Sequence, residues 1–172
     1  VFVSRIDTTI DKTLDERIAQ SADAAGKSKL SALKGKAAVA NSRLIFDAFH
    51  TQFGGSSFQA LGKANEQRVL WASTGTKNPQ YSDLKYVTEL ISKPTVNTVP
   101  EKTLNAFLDH GTVQETLNWD VQEAKAVFNF LNGYGIDIDQ VCSKLLSEGV
   151  ASFEKSFDDL IAALQSEKNH RA

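Results

Sequence analysis

Three short apolar runs, each followed by a helical pattern, constrain this chain more than any other feature. Residues 1–4 (Val-Phe-Val-Ser), 68–73 (Arg-Val-Leu-Trp-Ala-Ser) and 95–99 (Thr-Val-Asn-Thr-Val) read as buried strands. Ile10, Leu14 and Ile18 lie four apart and predict a helix from Thr8 or Thr9, with Asp7, Thr8 and Thr9 as possible caps. A Ser/Ala/Gly/Lys loop is expected over 21–29. A long helix over 30–53 follows, weakened near Gly35. Residues 58–64 and 83–91 read as helical, and Pro94 stops the latter. Pro100 opens a helix over 101–110, closed at Gly111. Helices over 121–134 and 141–148 come next, the second stopping at Gly149. Ser152 is expected to cap a last helix before a polar tail at 165–172.

Strand alternating with helix is the signature of parallel βαβ units. Three strands are a thin sheet for 172 residues, and parallel sheets need both faces covered. The expectation is an α/β fold forming part of a closed barrel, with unpaired edges on either side. Function would then sit where strands end and βα loops begin, at residues 4–7, 73–78 and 97–100. The chain opens on Val1 inside an apolar run and has no Met, so it reads as the C-terminal portion of something longer.

Composition narrows the function classes. Nineteen Lys+Arg against 21 Asp+Glu give a net charge of −2, without the basic excess of a dedicated nucleic-acid binder. A single cysteine, Cys142, excludes an internal disulfide framework. No apolar stretch approaches the ~18 residues that a membrane helix needs, and the expected setting is cytoplasmic. His50, His110 and His170 show no paired ligand spacing, so no metal site is expected. His110 ends a helix, where positive charge suits the dipole. Cys142 and Trp71 read as packing residues, and Trp119 as an anchor for the C-terminal connection. Asp137/Asp139 read as a helix start and Asp158/Asp159 as a solvated face.

The strand ends carry anion chemistry. Arg5 follows the first strand, and Ser73, Thr74, Gly75, Thr76 and Lys77 follow the second. Hydroxyls, free backbone N–H groups and cations at the mouth of a βα loop form a phosphate cradle. The spacing is not that of a P-loop. The alternative is that Arg5 pairs with Asp7 or Asp11 while Ser73 and Thr74 cap the next helix. Asn97, on the third strand, could point inward.

Five segments occur in a characteristic order: Val-Phe-Val-Ser-Arg-Ile-Asp-Thr (1–8), Gly-Lys-Ala-Ala-Val-Ala-Asn (35–41), Leu-Trp-Ala-Ser-Thr-Gly-Thr-Lys-Asn-Pro (70–79), Thr-Val-Asn-Thr-Val-Pro-Glu-Lys-Thr-Leu (95–104) and Asp-His-Gly (109–111). In these the chain resembles the transaldolases, particularly the bacterial group with the longer chain, over essentially its whole length. The resemblance implies part of a (β/α)8 TIM barrel: the last three strand–helix units plus the C-terminal helices of one barrel domain spanning 1–172. It implies a transferase of the non-oxidative pentose phosphate pathway that uses neither metal nor organic cofactor. A dihydroxyacetone unit would pass between sugar phosphates (fructose 6-phosphate, sedoheptulose 7-phosphate, erythrose 4-phosphate, glyceraldehyde 3-phosphate) through a Schiff base.

The family's Schiff-base lysine and acid/base aspartate lie on earlier strands, so the resemblance places no catalytic residue in this chain. Arg5 matches its substrate-phosphate arginine, and Ser73 a strand-end serine facing the phosphate. Thr76 and Lys77 stand in place of a following arginine. Gly75 stands where relatives commonly have Ser, and Phe2 matches an aromatic near the site wall. Lys77 lies in a polar loop, unlike an imine-forming lysine, whose amine must be desolvated or beside a cation. The alternative is an inactive half-barrel or a related sugar-phosphate aldolase. A half-barrel exposes strand edges and inward apolar side chains. The missing N-terminal half, or a second copy in a homo-oligomer, is therefore an expected partner; nucleic acid and membrane are not.

Overall fold

Two of the three apolar runs form strands in the computed structural model, which describes residues 1–117 and 121–170. Strand β1 (Val69–Trp71) pairs in parallel with β2 (Thr95–Asn97), Val69 opposite Thr95 and Trp71 opposite Asn97. The opening run is reduced to a single parallel bridge between Phe2 and Ala72. The Ala72 N–H donates to the Val1 carbonyl (2.8 Å) and the Val3 N–H to the Ala72 carbonyl (2.8 Å). The Trp71 carbonyl accepts from Thr98 instead. Carbonyls alternate sides along a strand, so β1 is central, with residues 1–3 on one side and β2 on the other. The parallel strand order expected from the sequence is present.

The chain divides into two units, Val1–Asp137 and Ile138–Ala172. In the first, α1 (Ser4–Gln20) begins four residues earlier than expected. The Ser4 N–H turns aside to the Ser73 carbonyl (3.0 Å), and the Thr8 hydroxyl already bonds back to the Ser4 carbonyl (2.9 Å). Ile6 thereby joins Ile10 and Leu14 on a buried stripe. Residues 24–31 form α2 (Ala24–Ser31) where a loop was expected. The Asp23 carboxylate caps it, accepting from Ala25 (3.1 Å) and Gly26 (2.8 Å).

The break near Gly35 is real: its φ is +69°, and α3 (Ala37–Gly54) starts just beyond it. Next come α4 (Ser56–Gln59), a single-turn α5 (Lys85–Thr88), α6 (Glu101–His110) as expected, and α7 (Gln122–Gly133). Helix α3 packs on α1 and α7. Trp71, Phe46, Ile10, Leu14 and Leu90 are the largest side chains fully enclosed.

The two sheet faces differ sharply. Val69 and Trp71 are buried, whereas Leu70 is 42% exposed and Phe2 52% exposed. Alternation along the strands places Phe2, Leu70, Ala72 and Val96 together on that second, apolar face.

The second unit contains α8 (Ile138–His170), one helix of 33 residues rather than the two expected. Gly149 does not stop it and Ser152 does not cap it; the Ser152 carbonyl accepts from the Ser156 hydroxyl within the helix (2.8 Å). A glycine costs a helix about 1 kcal/mol relative to alanine, which a long helix without proline absorbs. Ion pairs Lys144–Glu148 and Lys155–Asp159 at i,i+4 support it. Among the described residues no helix is long and apolar enough to cross a membrane. Trp119 lies outside the described residues, as does the side chain of His170.

Candidate functional site

The ends of the three parallel segments are joined by side-chain hydrogen bonds. The Ser4 and Ser73 hydroxyls lie 3.0 Å apart, bridging the first segment to β1. The buried Thr74 hydroxyl donates to Asn97 Oδ1 (2.7 Å), bridging β1 to β2. Asn97 is thus tied to its neighbour strand. Ser73 has φ +56°. A non-glycine residue in this left-handed region costs about 1–2 kcal/mol, and such strain concentrates at functional sites. Here it accompanies the turn of the chain out of the sheet and a hydroxyl aimed at the start of α1.

Arg5 lies in the first turn of α1, half-buried, its guanidinium 5.3 Å from the centre of the Phe2 ring. Among the described residues no carboxylate pairs with it, so the alternative pairing with Asp7 or Asp11 does not occur. Thr76 spends its hydroxyl on the Asp83 carbonyl (3.3 Å). Lys77 is exposed and shares a groove of about 610 Å³ with Ser4, Thr8 and Tyr81. Arg5 directly follows Ser4, whose hydroxyl lies 3.0 Å from that of Ser73, and Thr76 and Lys77 lie further along the loop after Ser73. His110, at the end of α6, hydrogen-bonds Asp109 (3.1 Å) and Asp83 (3.2 Å), which raise its pKa. Burial pushes up the Cys142 thiol in α8.

Asp7 and Asp11 belong to a cluster that the sequence reading did not foresee: Asp7, expected as a possible cap of the first helix, lies inside α1 because that helix starts at Ser4. Asp7 is 1% exposed; its Oδ1 accepts from the Ala38 N–H (2.7 Å) and its Oδ2 from the Tyr86 hydroxyl (2.8 Å). One turn further, Asp11 Oδ1 accepts from the Gly35 N–H (2.9 Å) and Oδ2 from the Tyr81 hydroxyl (2.6 Å). Asp7 thereby supplies the side-chain cap that α3 lacks from its own sequence. Burial raises the Asp7 pKa, opposed by the hydrogen bonds from Ala38 and Tyr86. Burial, reinforced by the neighbouring aspartates, also raises Tyr81 and Tyr86. The signal was present: with α1 starting at Ser4, Asp7 and Asp11 fall beside Ile6, Ile10 and Leu14 on the buried face. Among the described residues, no cluster of His, Cys, Asp and Glu is arranged to hold a metal ion.

A family model described as transaldolase/fructose-6-phosphate aldolase matches residues 1–164. The chain is 46% identical over 170 residues to a protein named transaldolase from Mycobacterium ulcerans, covering 96% of this chain and 43% of that one. It is 45% identical over 169 residues to the Mycolicibacterium smegmatis transaldolase, with the same coverages. Against the Mycobacterium tuberculosis (strain CDC 1551 / Oshkosh) transaldolase it is 47% identical over 164 residues, covering 93% and 42%. The chain spans less than half the length of the curated relatives it matches.

Proposed function

The chain belongs to the transaldolase/fructose-6-phosphate aldolase family, and from that premise we propose that it supplies the phosphate-binding side of a transaldolase. The reaction is Schiff-base transfer of a dihydroxyacetone unit between sugar phosphates, in the non-oxidative pentose phosphate pathway. The observation that carries this reading is Arg5: a half-buried residue without a carboxylate partner among the described residues, next in the chain to Ser4, whose hydroxyl meets that of Ser73 at the strand ends. A guanidinium and a hydroxyl at that place suit a phosphate dianion. Thr76 and Lys77 extend the cradle along the loop.

Holding the phosphate orients the far end of the sugar at the reacting carbon. A protonated imine there is an electron sink, so C–C cleavage leaves an enamine rather than a free carbanion. We place the imine-forming lysine and the acid/base aspartate outside these 172 residues; Lys77 is exposed. Three adjacent parallel segments and an uncovered apolar sheet face support a sector of a (β/α)8 barrel. The remaining strands would then come from a further segment or a second copy, in a cytoplasmic setting.

The test uses the protein that carries the lysine. Arg5→Ala should raise KM for fructose 6-phosphate by about 10- to 100-fold, the loss expected for a charge-assisted hydrogen bond. An unchanged KM rejects the assignment. On this chain alone, borohydride with fructose 6-phosphate should leave no reduced adduct.

A further inference from the structure

The four oxygens of Asp7 and Asp11 are used in one repeated pattern. Each carboxylate takes one backbone N–H from the start of α3 or the turn just before it, at Ala38 or Gly35, and one phenol O–H from the chain after β1, at Tyr86 or Tyr81. The two clasps are a helical turn apart on α1, so they fix its rotation as well as its distance. Apolar contact alone would let a helix slide. A carboxylate accepting two donors along its lone-pair directions does not. The outer clasp is also keyed by shape: a Cβ on Gly35 would come within 2.7 Å of the Tyr81 ring.

What the clasps join matters for the site. Helix α1 carries Arg5 two residues before Asp7. The segment between β1 and Tyr81 carries Ser73, Thr76 and Lys77. We propose that Asp7–Tyr86 and Asp11–Tyr81 are positioning pairs that hold Arg5 in register with residues 73–77, setting the anion site without touching the anion. The anion in this proposal is the phosphate of the function proposed above, and the proposal rests on that reading. The pairs are suited to the task because every carboxylate oxygen already holds a donor from the elements it joins, and neither aspartate pairs with Arg5 among the described residues.

The experiment is amide NMR of the 172-residue chain and its Tyr86→Phe variant, with inorganic phosphate as the probe. In Tyr86→Phe the amides of Arg5, Ser73, Gly75, Thr76 and Lys77 should shift and lose exchange protection, while those of α7 hold. Phosphate should bind about 5- to 10-fold more weakly, as expected for losing one hydrogen bond at a distance from the ligand. Asp7→Asn, which keeps an acceptor for Ala38, should recover most of the affinity lost in Asp7→Ala. A Tyr86→Phe chain that melts earlier, yet keeps those amide positions and the wild-type phosphate affinity, overturns the proposal. If Tyr86→Phe does not fold, Tyr81→Phe at the more open clasp is read by the same signals. Wild-type amides indifferent to phosphate would reject the phosphate reading, while the variant's amide shifts would still decide whether the clasps position the loop.

Discussion

Two residues carry opposing strains at the candidate site. Asp7 is ionisable and almost fully enclosed, and its folded pKa lies above the ordinary value of 3.8. A raised carboxyl pKa means that the folded state holds the proton more tightly than the unfolded one. Its contribution to stability is therefore greatest below the unfolded value and is lost as pH rises through the folded value. Asp7→Asn has no such loss. Urea melts from pH 3 upward should show the stability of Asp7→Asn gaining on the parent with pH across that window, then levelling. The slope cannot exceed about 1.4 kcal/mol per pH unit for one group. A difference independent of pH would contradict the burial argument. Ser73 stores its strain in the backbone, at φ +56°. Removing the hydroxyl as Ser73→Ala keeps that strain, whereas Ser73→Gly releases it. The glycine variant should be the more stable of the two by about 1 kcal/mol in denaturant melts, the reverse of the usual order in regular structure.

At the scale of elements, two glycines that both read as helix breaks behave differently. Gly35 ends a segment because its φ is +69° and the Tyr81 ring occupies the space of a side chain. Gly149 lies inside α8, where an added Cβ would meet nothing within 4 Å. Gly149→Ala should therefore raise the helical melting transition, with a gain of up to about 1 kcal/mol. Gly35→Ala should lower stability by more than 1 kcal/mol, roughly the left-handed penalty plus displacement of the ring. Circular dichroism melts of the two variants, moving in opposite directions, check both statements. Composition does not separate these glycines. Gly35 is marked by what crosses it from elsewhere in the fold. Helix α2 is the converse case: its cap is local, Asp23 accepting from Ala25 and Gly26 in a stretch that read as loop.

At the scale of the whole molecule, the sheet of the unit Val1–Asp137 has one buried face, with Val69 and Trp71, and one more exposed among the described residues. Phe2 and Leu70 stand exposed beside Ala72 and Val96, and a contiguous apolar patch on a sheet with open edges associates. Sedimentation of the isolated chain should show concentration-dependent association, reduced by Leu70→Lys; a monomer at all concentrations would contradict this. Much of the arrangement was readable from local pattern. The parallel order of β1 and β2 and the exact span of α6 follow from hydrophobic period and turn chemistry, and the same pattern is what made Arg5, Ser73, Thr76 and Lys77 candidates at the strand ends. What local pattern could not supply was decided across the chain. The start of α1 depends on a bond from Ser4 to Ser73, and the Asp7 and Asp11 clasps span 24 to 79 residues. Propensity distinguishes a helix start at Ser4 from one at Thr8 by only a few tenths of a kcal/mol. Satisfying a buried carboxylate is worth 1–3 kcal/mol per bond. The larger, non-local term sets the boundary and the geometry, so these features belong to the tertiary structure alone.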